Sequence, residues 1–270
     1  MPRPVTLTYK VYPTSIATAE AGALLFSETA SQVSQARGRV RIAISGGSTP
    51  KTMFKILADP KYPYLTETPW DKIDLFFVDE RTVPPTDSDS NYRMTRENLL
   101  DFVPLPPAQV HRIEGELDPE VAASKYESDL RNSFKLEGAE TPTFDLLFLG
   151  MGDDGHTASL FPHTEGLNEI SRLAIANHVP QKDTWRVTLT WPVINQSRDV
   201  AFLIEGSAKA KLLNEVFTGP YQPETYPSQI IRPASGKLTL LIDKAVAEYL
   251  PAPLPASDEK SPAIGTLELK

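Results

Sequence analysis

The sequence predicts an α/β fold: a doubly wound, mostly parallel sheet with helices on both faces. Short apolar runs alternate with stretches that have helical spacing along almost the whole chain. Connections of this type give parallel strands with helices packed on the sheet. Some of the runs are apolar throughout, as in residues 146–149, which is typical of strands covered on both faces. We expect a single domain over residues 1–250.

The individual elements follow from the same patterns, taken in chain order. Apolar or alternating runs predict strands at residues 5–11, 40–44, 73–78, 146–149, 173–179, 185–191, 200–204 and 238–242. Helical spacing and capping residues predict helices at residues 18–33, after Thr49, after Ser90, and at 118–134, 208–217 and 244–250. Residues 110–117 are ambiguous, and a turn is predicted at residues 192–195. The proline-rich segment 251–270 is predicted to be a flexible tail.

Composition excludes several classes of function. The chain has 270 residues and is 40% hydrophobic and 23% charged, as expected of a globular protein. It has neither an apolar stretch of transmembrane length nor the apolar core of a signal peptide, so we expect it in the cytoplasm. Because it has no cysteine, thiolate catalysis and Cys-ligated metals are excluded. The net charge of −8 disfavours nucleic acid, so any bound anion must be met by local cations.

One stretch concentrates residues that can do chemistry, at the end of the strand predicted for residues 146–149. Gly150, Gly152 and Gly155 follow this strand, and His156 comes directly after them. Glycine lets a ligand approach the backbone closely, and open α/β sheets bind ligands at the carboxyl ends of their strands. A histidine beside two aspartates is often only a surface residue. The glycine context favours a functional one here.

A second glycine turn separates the second predicted strand from the helix that follows it. Gly46, Gly47 and Ser48 form this turn, and Thr49 is the predicted N-cap of the helix. A turn of this kind directs backbone N–H groups and the positive end of the helix dipole toward one point, where a phosphate can bind. The bare pattern is equally consistent with an ordinary turn.

Candidate cations lie near the ends of other strands. Arg81 follows the strand at 73–78 and can offer a bidentate guanidinium to a phosphate, although a surface ion pair with Asp79 or Glu80 is the alternative. Lys209 lies in the first turn of a predicted helix, where its charge opposes the helix dipole. Either an anion or simple solvation accounts for that position.

The motifs in these places resemble those of the 6-phosphogluconolactonase family. The three main ones are SGGSTP at 45–50, VDERTVP at 78–84 with Ser90 and Asn91 after it, and GMGDDGHTASLFP at 150–162. Later motifs of the family are matched by RVTLT from Arg186, GSAK ending at Lys209, and Pro227 with Ser228. The resemblance covers about residues 10–250 in the family's order.

The resemblance implies hydrolysis of 6-phospho-D-glucono-1,5-lactone to 6-phospho-D-gluconate, in the oxidative pentose phosphate pathway. It also implies a Rossmann-like fold, similar to that of glucosamine-6-phosphate deaminase and ribose-5-phosphate isomerase. His156 is the implied general base, since an imidazole with an unperturbed pKa of about 6.5 can accept a proton near neutral pH. Asp154, rather than Asp153, is expected to orient it.

The resemblance further assigns substrate and phosphate binding to a set of residues that fall on the motifs. They are Gly46, Gly47, Ser48, Asp79, Arg81, Asn91, Gly155, Arg186 and Lys209. The reaction demands no metal and no cofactor. The donor to the developing oxyanion stays open between a glycine N–H near residues 152–155 and Arg81.

Two other functions remain as alternatives. Deaminase-like chemistry is disfavoured because this chain has Arg81 where the deaminases carry tyrosine, and because residues 155–161 differ from the deaminase motif. A non-catalytic sugar-phosphate-binding module is disfavoured by His156 and Asp154, since binding alone needs no base. The expected partner is the small sugar-phosphate lactone, with neither nucleic acid nor membrane, and the sequence is compatible with a monomer or a dimer.

Overall fold

The computed structural model describes residues 4–255 and 261–269, and a sheet of eight strands forms its centre. In chain order the strands are β1 (Val5–Tyr12), β2 (Val40–Ile44), β3 (Ile73–Phe77), β4 (Asp79–Arg81), β5 (Val110–His111), β6 (Leu146–Leu149), β7 (Ala174–Val179), β8 (Thr184–Leu189), β9 (Asp199–Ile204), β10 (Lys237–Asp243) and β11 (Ala263–Leu269). The main sheet has the order β11-β1-β10-β9-β6-β2-β3-β5. Only β11 is antiparallel to its neighbour in this sheet. The predicted mostly parallel α/β fold is therefore confirmed.

Helices occupy most of the connections between these strands. The α-helices are α1 (Ser15–Arg37), α2 (Ser48–Ala58), α3 (Tyr64–Glu67), α4 (Asn91–Thr95), α5 (Pro119–Phe134), α6 (Trp191–Asn195) and α7 (Ala210–Thr218). Short 3₁₀ turns lie at Trp70–Lys72, Pro107–Gln109, Glu165–Leu167, Pro180–Lys182, Ser207–Lys209 and Pro227–Ile230, and a π turn lies at Arg96–Leu100. Within the described residues, no helix combines the length and apolar character that crossing a membrane requires.

The sheet reverses its winding direction between β2 and β6. These two strands are neighbours, but the chain continues from β2 outward to β3 and from β6 outward to β9 on the other side. All four side chains of β6 are buried, and burial stabilises each of them by roughly 1.5–3 kcal/mol. In open α/β sheets a crevice forms beyond the carboxyl ends of the strands at such a reversal. The two glycine turns after β2 and β6 meet at this crevice.

A second, smaller sheet was not foreseen as a separate unit. Its order is β4-β8-β7, and both pairings are antiparallel. Sequence patterns identified the strands at 173–179 and 185–191, but they carry no information about which sheet a strand joins. The pairing places Arg81 of β4 directly opposite Arg186 of β8, so the small sheet delivers two cations to one place.

The prediction of a flexible C-terminal tail is wrong for residues 263–269. This segment forms β11, which pairs along its whole length with β1 at the edge of the main sheet. Its burial alternates, and Leu269 is buried. Gly265 lies against the ring of Tyr9, where a Cβ would come within 2.1 Å of that ring. Residues 256–260 of the predicted tail lie outside the described residues.

Three local predictions are also corrected. Helix α2 begins at Ser48 with Gly47 as its N-cap, so Thr49 is not the cap. Residues 244–250 form successive turns after β10 instead of a helix. Asp243 does accept a hydrogen bond from the backbone N–H of Val246 at 2.9 Å, but the helix does not continue beyond that. The turn expected at 192–195 is part of the short helix α6.

Candidate active site

A cavity of about 220 Å³ opens beyond the carboxyl ends of β2 and β6. Most of the predicted site residues line it, although they come from distant parts of the chain: Gly46, Gly47, Ser48, Asp79, Arg81, Asn91, His156, Arg186 and Lys209. Asp154 and Gly155 do not line it. The crevice predicted from the strand ends is therefore present, and the fold brings the motifs together there.

His156 is fixed on several sides at the edge of this cavity. Its Nδ1 lies 2.5 Å from Oδ1 of Asp154, which also accepts the backbone N–H of His156 at 3.1 Å. Phe161 stacks on the imidazole, with 3.9 Å between ring centroids. Because the carboxylate accepts from Nδ1, the neutral ring keeps its proton on Nδ1 and leaves Nε2 free to accept another. An imidazole held in this way can accept a proton at Nε2.

The two aspartates before His156 differ in environment. Partial burial acts against the charged form of Asp154, but the hydrogen bond from His156 and the charge of that ring outweigh it, so the pKa of Asp154 is lowered. Asp154 therefore stays ionised near neutral pH. Asp153 is 91% exposed and lies 4.0 Å from the Nζ of Lys209. Asp154 contacts the imidazole and Asp153 lies near Lys209, while the orienting role of Asp154 stays a prediction.

Glycine at position 152 is required by the closeness of the imidazole. A Cβ on Gly152 would lie 2.0 Å from Cε1 and 2.1 Å from Nδ1 of His156, far inside contact distance. The backbone of the turn is closed by hydrogen bonds from the N–H of Gly152 to the carbonyl of His156 and from the N–H of Gly155 to the carbonyl of Gly152. Gly155 was predicted to contact the substrate. Its N–H is used within the turn and it does not line the cavity, so Gly155 shapes the turn instead.

The glycine turn after β2 forms the opposite wall. Gly46 packs against Asn91, where a Cβ would lie 1.8 Å from Oδ1 of that side chain. No side chain caps the start of α2, so the N–H groups of its first turn are not satisfied by a cap. Together with Ser48, which also lines the cavity, they offer donors to an anion at the positive end of a helix.

Asp79 and Asn91 are tied to each other and to the histidine motif. Asn91 donates its Nδ2 hydrogen to the backbone carbonyl of Asp79 at 2.9 Å. The carboxylate of Asp79 accepts the hydroxyl of Ser159 at 2.6 Å. The neighbouring Glu80 accepts the backbone N–H groups of Asn91 and Tyr92 at the start of α4 and that of Arg81 on β4, and burial nevertheless raises its pKa. The motif after β3 thus fixes the start of α4 against the cavity.

Two guanidinium groups line the cavity without a carboxylate partner among residues 4–255 and 261–269. Arg81 donates to the carbonyl of Asp89, and Arg186 donates to the hydroxyl of Thr184 and the carbonyl of Trp185. Burial, and then the nearby charge of Arg81, lower the pKa of Arg186. Like charges placed directly opposite each other destabilise a sheet, and a bound dianion would remove that repulsion.

Lys209 is a further cation that lines the cavity. Its Nζ donates to the carbonyl of Met151 at 2.7 Å, which links the turn before α7 to the glycine turn after β6. Lys209 is the last residue of the 3₁₀ turn Ser207–Lys209 and precedes α7, instead of lying inside the helix as predicted.

Three residues of the cavity were missed by sequence reasoning. Lys182 lines it and lies 5.6 Å from the ring of Phe161, which itself covers His156. Ser159 holds Asp79. Phe161 and Ser159 lie inside the quoted motif, and their places in it were the only signal. Lys182 lies in an exposed turn between β7 and β8, and nothing in the local pattern marks it.

Comparison with known proteins gives consistent matches. Residues 13–240 match the family model described as "Glucosamine-6-phosphate isomerases/6-phosphogluconolactonase". The chain is 42% identical to a 6-phosphogluconolactonase of Synechocystis sp. over 79% of this chain and 86% of that protein. It is 37% identical to one of Haemophilus influenzae over 80% of this chain and 90% of that protein. A solved 6-phosphogluconolactonase from Trypanosoma cruzi is 30% identical, with a TM-score of 0.78 over 90% of this chain and 96% of the other.

Proposed function

The chain belongs to the glucosamine-6-phosphate isomerase/6-phosphogluconolactonase family, and from that premise we propose how it works. It is a lactonase that hydrolyses 6-phospho-D-glucono-1,5-lactone to 6-phospho-D-gluconate in the oxidative pentose phosphate pathway. His156 is the general base of the reaction. The observation that carries this assignment is the contact between His156 and Asp154 at a cavity that also contains Arg81, Arg186 and Lys209.

The hydrolysis begins with a water molecule that Nε2 of His156 deprotonates. The resulting hydroxide oxygen bonds to the lactone carbonyl carbon, and the carbonyl electrons move onto its oxygen. When the tetrahedral intermediate collapses, the bond to the ring oxygen breaks, and the imidazolium returns its proton to that leaving oxygen. Asp154 remains ionised throughout, holds the Nδ1 proton and stabilises the imidazolium, since its pKa is lowered by its hydrogen bond and charge interaction with the ring despite partial burial.

The phosphate of the substrate is held by the cations of the same cavity. Arg81, Arg186 and Lys209 supply charge, while Gly46, Gly47 and Ser48 supply donors at the start of α2. Asn91, held by Asp79, supports the turn that carries these donors. The phosphate lies at one end of the sugar and the reacting carbonyl at the other. Binding of the phosphate therefore orients the lactone toward His156.

The developing negative charge on the carbonyl oxygen needs a donor as well. Gly152 and Gly155 already donate their N–H groups inside the turn, which removes them as donors. A cytoplasmic location and a monomeric or dimeric state stay predictions from the sequence.

The assignment of His156 is tested with the His156→Ala variant. Its rate of lactone loss above the spontaneous reaction should fall by about 10²–10⁴-fold, because proton abstraction from water is lost. Binding of 6-phosphogluconate should be retained, since the cations remain. The measurement is NMR of the lactone at early times, against a no-enzyme baseline.

His178→Ala is the matched control, because His178 is an exposed histidine on β7 outside the cavity. It should keep the wild-type rate. Normal turnover by His156→Ala would remove His156 from the mechanism while leaving the lactonase activity itself intact. A wild-type protein that released ammonia from glucosamine 6-phosphate, and did not accelerate lactone loss, would instead overturn the reaction.

A further inference from the structure

A second cavity lies at the opposite end of the central strands. It has a volume of about 510 Å³, and three arginines line it. Arg37 is the last residue of α1, Arg41 is the second residue of β2, and Arg198 directly precedes β9. Since β2 is only five residues long, this cavity and the active site are separated by roughly 15 Å along the strand. We call it the amino-end cavity.

One buried carboxylate in the amino-end cavity is already fully satisfied. The side chain of Asp145 is 6% exposed. It accepts a hydrogen bond from Arg37 at 2.5 Å and another from the backbone N–H of Arg41 at 2.9 Å, and Nε of Arg198 lies 3.4 Å away. Glu140 is the only other acid in the lining, and it is exposed. Three guanidinium groups therefore face two carboxylates, which leaves an excess positive charge in a protein whose net charge is −8.

Arg41 is the cation of this cavity whose charge is least compensated. Its guanidinium lies over the ring of Phe134, 4.5 Å from the centroid, and Nη2 donates to the carbonyl of Ser133 at 3.0 Å. It pairs with no carboxylate among the described residues. Its Nε is buried and has no hydrogen-bond acceptor. A buried donor left without a partner costs about 1–3 kcal/mol, and such groups are rare in folded proteins.

We propose that the amino-end cavity is a second anion site, in which Arg37, Arg41 and Arg198 bind a dianionic phosphoryl group. A guanidinium held over an aromatic ring keeps its donors in a fixed place, and guanidinium groups bind phosphate oxygens bidentately. The group can arrive as free phosphate or as the end of a phosphomonoester, because the cavity is large enough for either. The site is independent of the active site and of the lactonase reaction.

The test is an NMR titration of the full chain with inorganic phosphate at constant ionic strength. The Nε–H signal of Arg41 and the backbone signals of Asp145 and Arg198 should shift and saturate. These shifts are site-resolved, so binding in the active site is followed separately through Gly47 and His156. A parallel titration with glycerol 3-phosphate distinguishes the sources: tighter binding than phosphate identifies a phosphomonoester site, and equal binding identifies a site for the phosphoryl group alone.

Arg198→Gln is the main variant, because its side chain is 57% exposed and Asp145 keeps Arg37 as a partner. It should weaken phosphate binding in this cavity about two- to fivefold and leave lactone hydrolysis unchanged. Arg41→Gln removes the unpartnered donor and should weaken it about tenfold or more. Arg39→Gln is the matched control, since Arg39 is a neighbouring arginine that pairs with Asp74 and does not line the cavity.

The proposal fails if the signals of Arg41, Asp145 and Arg198 stay fixed at phosphate concentrations that saturate the active site. It fails equally if Arg39→Gln and Arg198→Gln weaken the shifts to the same degree, since that would show general screening of surface charge. Thermal unfolding of each variant in the absence of phosphate verifies folding. A titration of the Arg41 signal that is about two- to fivefold weaker in a folded Arg198→Gln variant supports the site.

Discussion

Two groups of arginines lie at opposite ends of the same parallel strands, and their electrostatic surroundings differ. At the carboxyl end, Arg81 and Arg186 face each other across the small sheet, and within the described residues their guanidinium groups donate only to neutral oxygens. At the amino end, Arg37 and Arg198 share the buried carboxylate of Asp145. Only the amino-end group carries its own counter-ion.

This difference separates arginines that donate to neutral oxygens from arginines that already share a carboxylate. Burial and the neighbouring Arg81 lower the pKa of Arg186, so the pair is held in an unfavourable arrangement that an incoming phosphate would relieve. The charges at the amino end are partly compensated by Asp145 before any ligand arrives. We therefore expect a strong dependence of catalysis on the first group and weak anion binding at the second.

The largest expected effect comes from Gly152→Ala, which disturbs the carboxyl end without removing a charge. The new methyl group would lie 2.0 Å from the imidazole of His156 and must displace it. We expect kcat to fall by about 10²–10³-fold, approaching loss of the general base. Binding of 6-phosphogluconate, measured by calorimetry, should change little because Arg81 and Arg186 are untouched.

Gly150→Ala is the control for that variant, since a Cβ at this position meets nothing within 4 Å. It should reduce kcat far less. Comparable losses in both variants would mean that any added side chain in the turn is harmful, and that the position of the imidazole is not the reason.

A direct comparison of the two arginine groups is provided by Arg186→Gln and Arg198→Gln. Loss of a charge-assisted hydrogen bond to phosphate costs about 1.5–3 kcal/mol, so kcat/KM for the lactone should fall by roughly 10- to 100-fold in Arg186→Gln. Arg198→Gln should have wild-type kcat/KM. Steady-state lactone hydrolysis measures both. Equal losses would show that the two ends of the sheet do not differ in the way their charges indicate.

The sequence predicted the carboxyl end of the sheet better than it predicted the amino end. The strands at residues 40–44 and 146–149 were predicted with correct bounds. Each is a short apolar run, and it ends directly before Gly150 or before Ser45 and Gly46. The glycines, His156 and Arg81 could be found because they follow strands, and strand ends converge at a reversal of the sheet.

Other features depend on contacts between distant residues and leave no local pattern. Arg186 was identified by family resemblance, but its pairing with Arg81 follows from the register of β4 and β8. Lys182 comes from an exposed turn and reaches the cavity only through the fold. Strand β11 was missed because the prolines that precede it, from Pro251 to Pro262, make the segment resemble a tail, while its stability comes from pairing with the edge of β1. The cluster of arginines at the amino end could not be predicted, because these residues meet at Asp145 only in the folded chain.

The smallest expected effect concerns Asp199, a carboxylate at the amino end whose charge is only partly compensated by cations. It is the first residue of β9, and its Oδ1 is buried without a hydrogen-bond partner. Burial raises its pKa to about 6, and the charges of Lys237 and Lys10 offset this only in part.

The raised pKa of Asp199 fixes the direction of its pH effect. The folded state binds the proton more tightly than the unfolded chain, so the stabilising contribution is complete below pH 3.8 and is lost as the pH rises through about 6. Asp199→Asn, which cannot ionise, should raise the free energy of unfolding by on the order of 1–2 kcal/mol near pH 8 and by little near pH 4. Urea unfolding across this range measures it, with exposed Asp183→Asn as control. A gain in Asp199→Asn that is the same at every pH would show that the carboxylate is not held in the protonated form by burial.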